Sequence, residues 1–272
     1  MKQKMDIKRD IQRKFHELPE KEQSVAQYIL EHGETIKNIH IADLAKATGT
    51  SNATITRFCK RIGCESFVDL KIRLHSAREE RMENGYGDIF EDVNSFYHKT
   101  ISQTVKMIDK EKIRALVEAL KQADRIFFTG VGSSGLTALE MTQRLIRMGL
   151  HVTALTDSHM MIITSAITTP KDLVIGISNS GRTTEVVKTL ENAKKNGSKI
   201  VAITSFEKSP LATLSDLLIP TYNTHFVSNE QFVNNQFAIM YVMDIVSMLL
   251  LENKTMQQKM EKTIHTVSRR FN

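Results

Sequence analysis

From Arg125 onward the chain alternates short β-rich runs with helical stretches: RIFFTG, HVTALT, DLVIGIS and KIVAITS, with LLIP at Leu217–Pro220 as a fifth run. Few folds accept that order. Strands separated by helices pair in parallel, because each helical crossover returns the chain to the same end of the sheet, and the helices cover its faces. The run Leu173–Ile177 has no polar alternation, which fits a strand buried on both sides. Ligands of such sheets bind beyond the carboxyl ends of the strands. The pattern predicts a three-layer α/β/α domain with a mainly parallel five-stranded sheet, and it places the site in the turns that leave the strands.

The first 80 residues read as helical throughout. LPEKEQSVAQYILEHG carries a Pro near its start, apolar residues at Val25, Ala26, Ile29 and Leu30, and Gly33 as a stop. MENGYGD, at 82–88, holds two glycines without periodicity and marks a linker at 81–90. The chain therefore divides into an all-α domain at 1–80 and a second domain at 91–272. The second opens with the helical stretches IFEDVNSFYHKTISQTVKMI and DKEKIRALVEALKQA, and a charged helix follows Glu252.

Within the helical domain, IADLAKATGTSNATITRFCKRIG has helix-turn-helix spacing, with Thr48-Gly49-Thr50 as the turn and Ser51 as the cap of the second helix. Ile55, Phe58, Cys59 and Ile62 repeat at i, i+3, i+4 and i+7 and form its buried stripe. Ala53, Arg57 and Lys60 lie opposite, flanked by Thr54, Thr56 and Arg61. A small, polar and basic face suits a helix whose early residues meet base edges while its cations meet phosphates. Ser51, Asn52, Ala53, Thr54, Thr56, Arg57 and Lys60 are the candidate contacts to a double-stranded DNA operator. A solvated basic face on a packing domain would show the same pattern.

Charge supports a polyanionic partner. The chain carries a net +6, and residues 1–81 hold 16 Lys+Arg against 12 Asp+Glu, most of that excess. MKQKMDIKRD has no apolar core, so it does not read as a secretory signal. FAIMYVMDIVSMLLL, Phe237–Leu251, is too short for a membrane span of about 20 residues and reads as a buried helix. Cys59 and Cys64 are the only cysteines, too few for a zinc set and five apart in a segment read as helical, which suggests buried thiols in a reducing cytoplasm.

Two turns of the α/β domain stand out. GVGSSG, Gly130–Gly135, follows the first strand, and VIGISNSGRTTEVV carries the third strand into a helix through Ser178, Ser180, Thr183 and Thr184. The first has G-x-G-x-x-G spacing with Asp157 beyond the next strand, which meets a dinucleotide fingerprint. Against that reading, Ser133 and Ser134 place hydroxyls where the fingerprint uses bare backbone, and a Rossmann site has no need of the second turn. Hydroxyls, N–H groups and helix N-termini that converge from both turns suit a phosphate monoester on a polyhydroxyl body. Arg182 offers a further charge. No cofactor or metal is expected. Each serine taken alone also fits a helix cap.

SNSGRTTE, with GVGSS upstream and ITSFEKSPLATLSDLLI downstream, resembles a sugar isomerase (SIS) domain. LAKATGTSNATITRFCKRIGCESFVDLK resembles the helix-turn-helix of the RpiR-type transcriptional regulators, which carry an SIS domain behind it. The resemblance covers about residues 15–250. It implies a flavodoxin-like domain that binds a phosphosugar effector, a homodimer or homotetramer in the cytoplasm, and control of sugar uptake or catabolism genes. Carried over by motif position, Ser134, Ser178, Ser180 and Thr183 hold the phosphate, Asn179 lines the turn, and Ser133 is a weaker match. In SIS enzymes a Glu or His does acid/base work. Glu185, His225 and Glu230 are near in sequence, but none sits in a matching pattern. His159, in DSHMM, is a further candidate to face the pocket. The chain reads as a regulator and not an enzyme, with a phosphosugar isomerase or lyase as the rival.

Overall fold

The computed structural model describes residues 7–32, 36, 39–74, 89–223, 233–234 and 236–268. They form two compact units whose boundary falls between Phe96 and Tyr97. The expected linker at 81–90 lies outside the described residues as far as 88, while Ile89 and Phe90 already open a helix.

The described part of the N-terminal unit is helical: α1 (Ile7–Lys14), a 3-10 turn (Phe15–Glu17), α2 (Glu20–His32), α3 (Ile41–Thr48), α4 (Asn52–Arg61) and α5 (residues 67–74). Pro19 stands just before α2, where a missing N–H breaks no helical bond. Helices α2, α3 and α4 pack on one another, and Ile29, Leu30, Leu44, Ile55 and Phe58 are fully buried there. Cys59 lies on the same stripe. Cys64 does not continue the helix; it sits past the end of α4, its N–H bonded to the Cys59 carbonyl at 2.8 Å. Both thiols are free and buried. Burial pushes Cys59 up to about 12 and Cys64 up to about 11, so both stay protonated at neutral pH.

Helix α6 (Ile89–Met107) crosses the boundary between the units. Then follow α7 (Lys110–Gln122), β1 (Arg125–Thr129), α8 (Ser133–Arg147), β2 (Val152–Leu155), α9 (Ser158–Ala166) and β3 (Asp172–Ile177). The remainder is α10 (Thr184–Lys195), β4 (Lys199–Thr204), α11 (Pro210–Leu214), β5 (Leu217–Pro220), α12 (Phe237–Leu251) and α13 (Lys254–Ser268). All five expected strands form, every pairing is parallel, and the order is β2-β1-β3-β4-β5. This is the flavodoxin-like order, with its topological switch between β1 and β3.

Strand alternation decides which helical layer each side chain meets. Ile126, Phe128, Leu173 and Ile175 pack with α7, α8 and α12, whereas Phe127 and Val174 pack with α9, α10 and α11. The apolar helix α12 is buried on one side only. Ala238, Ile239, Val242, Met243, Val246 and Leu250 face the core, while Met248 is exposed and Asp244 pairs with Arg144, which also pairs with Glu140. Among the described residues no helix is long and apolar enough to cross a membrane.

At the amino end of the sheet Arg125 donates from Nε to Asp172 Oδ1 at 2.8 Å and from Nη2 to Oδ2 at 2.6 Å. Thr169 adds its N–H at 2.6 Å and its hydroxyl at 3.0 Å. Burial pushes the Asp172 carboxyl up, but these bonds outweigh it and hold the group below its ordinary value. A carboxylate lowered by folding stabilises the native state above its unfolded pKa, and that contribution is lost as pH falls through the folded one. Asp172→Asn is expected to lower stability by about 1.5–3 kcal/mol at pH 7, with the gap to the parent closing below about pH 4. Urea unfolding across pH checks this; a gap that does not change with pH contradicts it.

Candidate functional site

Beyond β1 and β3 two turns lead into α8 and α10. The strands are paired neighbours, in register as far as Thr129 opposite Gly176, so the turns at 130–133 and 178–183 leave the sheet side by side at the switch point. Neither following helix has a side-chain cap: Gly132 stands at the N-cap of α8 and Thr183 at that of α10. Helices α4, α7, α9 and α11 are instead capped by Ser51, Asp109, Asp157 and Ser209. Two uncapped helix starts at one edge concentrate N–H groups and the positive ends of two dipoles. The first turn of α8 contains no acid, and Glu185 in the first turn of α10 is exposed.

The hydroxyls that could have capped α10 meet each other. Ser178 Oγ lies 2.9 Å from Thr183 Oγ1 and 3.5 Å from Ser180 Oγ. Ser178 is 2% exposed, and its oxygen accepts the Gly181 N–H at 3.1 Å. It is the hub that holds the turn. Ser180 and Thr183 are half-buried around it, and Ser180 Oγ accepts the Arg182 N–H at 3.2 Å. Asn179 is also half-buried, and Arg182 is exposed.

The turn is braced by the segment from β4 to α11. The Asn179 carbonyl accepts the Ser205 N–H at 3.1 Å and the Thr204 hydroxyl at 3.2 Å, and the Gly181 carbonyl accepts the Leu211 N–H at 3.1 Å. A trans peptide holds its N–H opposite its carbonyl. Pinning these two carbonyls therefore turns the Ser180 and Arg182 N–H groups away from β4 and α11. Gly181 has φ +63, and a Cβ there would be driven into the Ser209 side chain.

On the other turn Ser133 is exposed at the start of α8, and Ser134 is buried at 8% exposure. Ser134 and Thr137 both donate to Gln236 Oε1 at 3.4 Å. Two of the three glycines have a packing cause here. A Cβ on Gly130 would meet the Ser134 carbonyl atoms at 2.8 Å, and one on Gly135 would meet the Gly130 oxygen at 2.9 Å. Thus β1 and α8 approach through their backbones at Gly130 and Gly135, while Gly132 is set by its φ of +58 and not by packing. The structure brings Ser178, Ser180 and Thr183 into mutual contact and sets Ser133 and Ser134 on the adjacent turn. His159 is exposed on α9, and His225 and Glu230 lie outside the described residues. Gln236 carried no signal in the sequence, since Ser134 and Thr137 reach it only through the fold, and Ser209 signalled only the cap of α11, not its place against Gly181.

In the N-terminal unit α3 ends at Gly49, and the Thr48 and Thr50 hydroxyls meet at 2.8 Å across the turn. Ser51 Oγ accepts the Thr54 N–H at 3.2 Å and opens α4. Ser51, Asn52, Ala53, Thr56, Arg57 and Lys60 are exposed. Thr54 is not on that face. It is buried, its hydroxyl 3.0 Å from Ser51 Oγ and accepting from Arg57 Nη2 at 3.2 Å. The packed stripe of α4 is one residue wider than the apolar periodicity, because a threonine can bury its methyl group while its hydroxyl is satisfied locally. Arg61 is committed too: its Nε lies 2.9 Å from the buried carboxylate of Glu22 on α2.

A short helix-turn-helix with a basic open face, in a chain that also holds a doubly wound unit with a hydroxyl-lined switch point, defines a helix-turn-helix transcriptional regulator with a ligand-binding type of second domain. Comparison with known proteins agrees. Residues 5–80 match the model of the helix-turn-helix domain, rpiR family, and residues 119–246 match that of the SIS domain. An HTH-type transcriptional regulator of Clostridium perfringens is 31% identical over 91% of this chain and 92% of its own. The HTH-type regulator YbbH of Bacillus subtilis is 30% identical over 87% of each. The solved NanR protein of Vibrio vulnificus, complexed with ManNAc-6P, covers 95% of this chain and 98% of its own at a TM-score of 0.65 and 25% identity. The chain belongs to the RpiR family of transcriptional regulators, with an SIS domain as its second part.

Proposed function

We propose that this regulator senses a phosphosugar in its SIS domain and binds an operator through α4, so controlling genes of sugar uptake or catabolism in the cytoplasm. The observation that carries the effector reading is the pair of helix starts without side-chain caps, on adjacent strands and edged by Ser133, Ser134, Ser178, Asn179, Ser180 and Thr183. An anion there satisfies N–H groups that no side chain takes. The similarity to NanR, solved with an amino-sugar phosphate, supports the same ligand class. Ser178 contributes by holding the turn, and Ser180 and Thr183 meet the phosphate. A homodimer or homotetramer presents paired recognition helices to paired half-sites. The effector acts by binding two arrangements of that assembly unequally. The helix-turn-helix favours this over a phosphosugar isomerase, which has no use for it; the accompanying expectation is no turnover of hexose or amino-sugar phosphates.

Ser180→Ala is the test. A hydrogen bond to a charged acceptor contributes about 1.5–3 kcal/mol, so the variant should bind a phosphosugar roughly 10- to 150-fold more weakly. The unphosphorylated sugar should bind far more weakly than its phosphate, because the helix dipoles lose their anion. Calorimetry with a panel of hexose and amino-sugar phosphates reads both. Equal affinity for phosphorylated and plain sugar, or an unaffected variant, would return these hydroxyls to the role of local turn formers.

A further inference from the structure

The exposed face of α4 carries two cations, Arg57 and Lys60, and they are held differently. Arg57 Nη2 donates to Thr54 Oγ1 at 3.2 Å. Thr54 is itself fixed: it is 4% exposed, its N–H bonds to Ser51 Oγ at 3.2 Å, and its hydroxyl lies 3.0 Å from the same oxygen. Ser51 is the cap of α4 and cannot move without unwinding the first turn. The relay Ser51–Thr54–Arg57 therefore ties one corner of the guanidinium to the capped first turn of the helix. The neighbours there, Asn52, Ala53 and Thr56, are exposed and short, so the helix start can approach a groove floor closely. Arg61 is excluded from that task by its pairing with Glu22. Lys60 lies a turn further from the helix start, exposed.

A guanidinium presents five N–H donors in a flat fork. With one used on Thr54, four remain, enough for a bidentate contact to O6 and N7 of guanine, the commonest specific contact in the major groove. A side chain already held in place loses less rotamer freedom on binding than a free one. An ammonium such as that of Lys60 is a compact point charge suited to phosphate.

We infer that Arg57 is the base-reading residue of this regulator, preset by Thr54 for a guanine in each half-site, and that Lys60 supplies sequence-independent phosphate contact. This rests on the reading of α4 as the recognition helix. It adds a division of labour within the exposed face: Thr54, which touches no DNA, is a positioning residue for sequence choice.

The test is selection by the full-length protein from a pool of randomised DNA duplexes, followed by titration of the selected and of random duplexes at several salt concentrations. The parent should enrich half-sites with a guanine at one fixed position. Arg57→Ala and Arg57→Lys should bind the selected duplex roughly 5- to 150-fold more weakly, with much smaller loss on random DNA, and should no longer enrich that guanine. Thr54→Val should lower the ratio of selected to random affinity while leaving the salt dependence unchanged, and Thr54→Ser should restore the ratio. Lys60→Ala should weaken both duplexes alike and reduce the slope of log affinity against log salt by about 0.9. Arg57 variants that weaken selected and random DNA equally, or enriched half-sites without a fixed guanine, would overturn the inference while leaving α4 as the DNA-binding helix. A parent that enriches no sequence and binds no duplex would overturn the reading of α4 itself.

Discussion

Gly181→Ala is expected to lower affinity for a phosphosugar roughly 100-fold or more. The turn after β3 holds its shape because Gly181 adopts φ +63 with the Ser209 side chain packed against its α-carbon. An alanine there meets two separate penalties. Its Cβ overlaps Ser209, and its backbone occupies a region that L side chains adopt at a cost of about 1–2 kcal/mol. The turn must then move, and the bonds from Leu211 N–H to the Gly181 carbonyl and from Gly181 N–H to Ser178 Oγ go with it. The first bond sets the Arg182 peptide and the second holds the turn on Ser178, so the proposed contacts of this turn to a phosphate should weaken together. Calorimetry against the phosphosugar that the parent binds reads the loss. Gly181→Ala combined with Ser209→Gly, which removes the nearest overlap but leaves Thr204 Oγ1 2.8 Å from the new Cβ and the backbone strain unrelieved, should recover part of the affinity. A single variant that binds within a few-fold of the parent would show that this turn does not hold the anion.

Phe58→Ala is expected to unfold the N-terminal unit. Phe58 is fully buried in α4, a helix packed on both α2 and α3. Truncating a buried phenylalanine typically costs about 3–5 kcal/mol, the lost transfer energy plus the cavity. A domain has only about 5–15 kcal/mol in total, and small ones sit at the low end. DNA binding should disappear, while phosphosugar binding by the separate SIS unit persists. Gel-shift titration and calorimetry on the same sample check both halves. A Phe58→Ala protein that binds DNA as the parent does would mean that α4 is not anchored through this stripe.

Much of the fold was legible because its signals are local. The apolar run Leu173–Ile177 can be a strand buried on both faces and little else, and β3 is that strand. The cap Ser51 and the stripe Ile55, Phe58, Cys59 placed α4 to within a residue. The two candidate turns were legible for the same reason: hydroxyls and a glycine between a strand and a helix are a sequence-adjacent pattern, and the strands they follow prove to be paired neighbours. Thr54 shows where periodicity stops. A helical wheel assigns a threonine by angle alone, but Thr54 is buried with its hydroxyl satisfied by Ser51 and Arg57.

The sequence by itself determined the elements and their order, because helix and strand periodicity and capping preferences act over a few residues. It could not decide which elements become neighbours. The adjacency of β1 and β3, the reach of Gln236 to Ser134 across 102 positions, and the bond between Arg125 and Asp172 follow from how the sheet orders its strands. So do the brace from Leu211 to Gly181 and the pairing of Arg61 with Glu22. Nor could it say which hydroxyls cap a helix and which turn inward to one another, as Ser178 and Thr183 do. Those choices are made by burial: once the core closes, each polar group left inside must bond to whatever the packing has brought within reach.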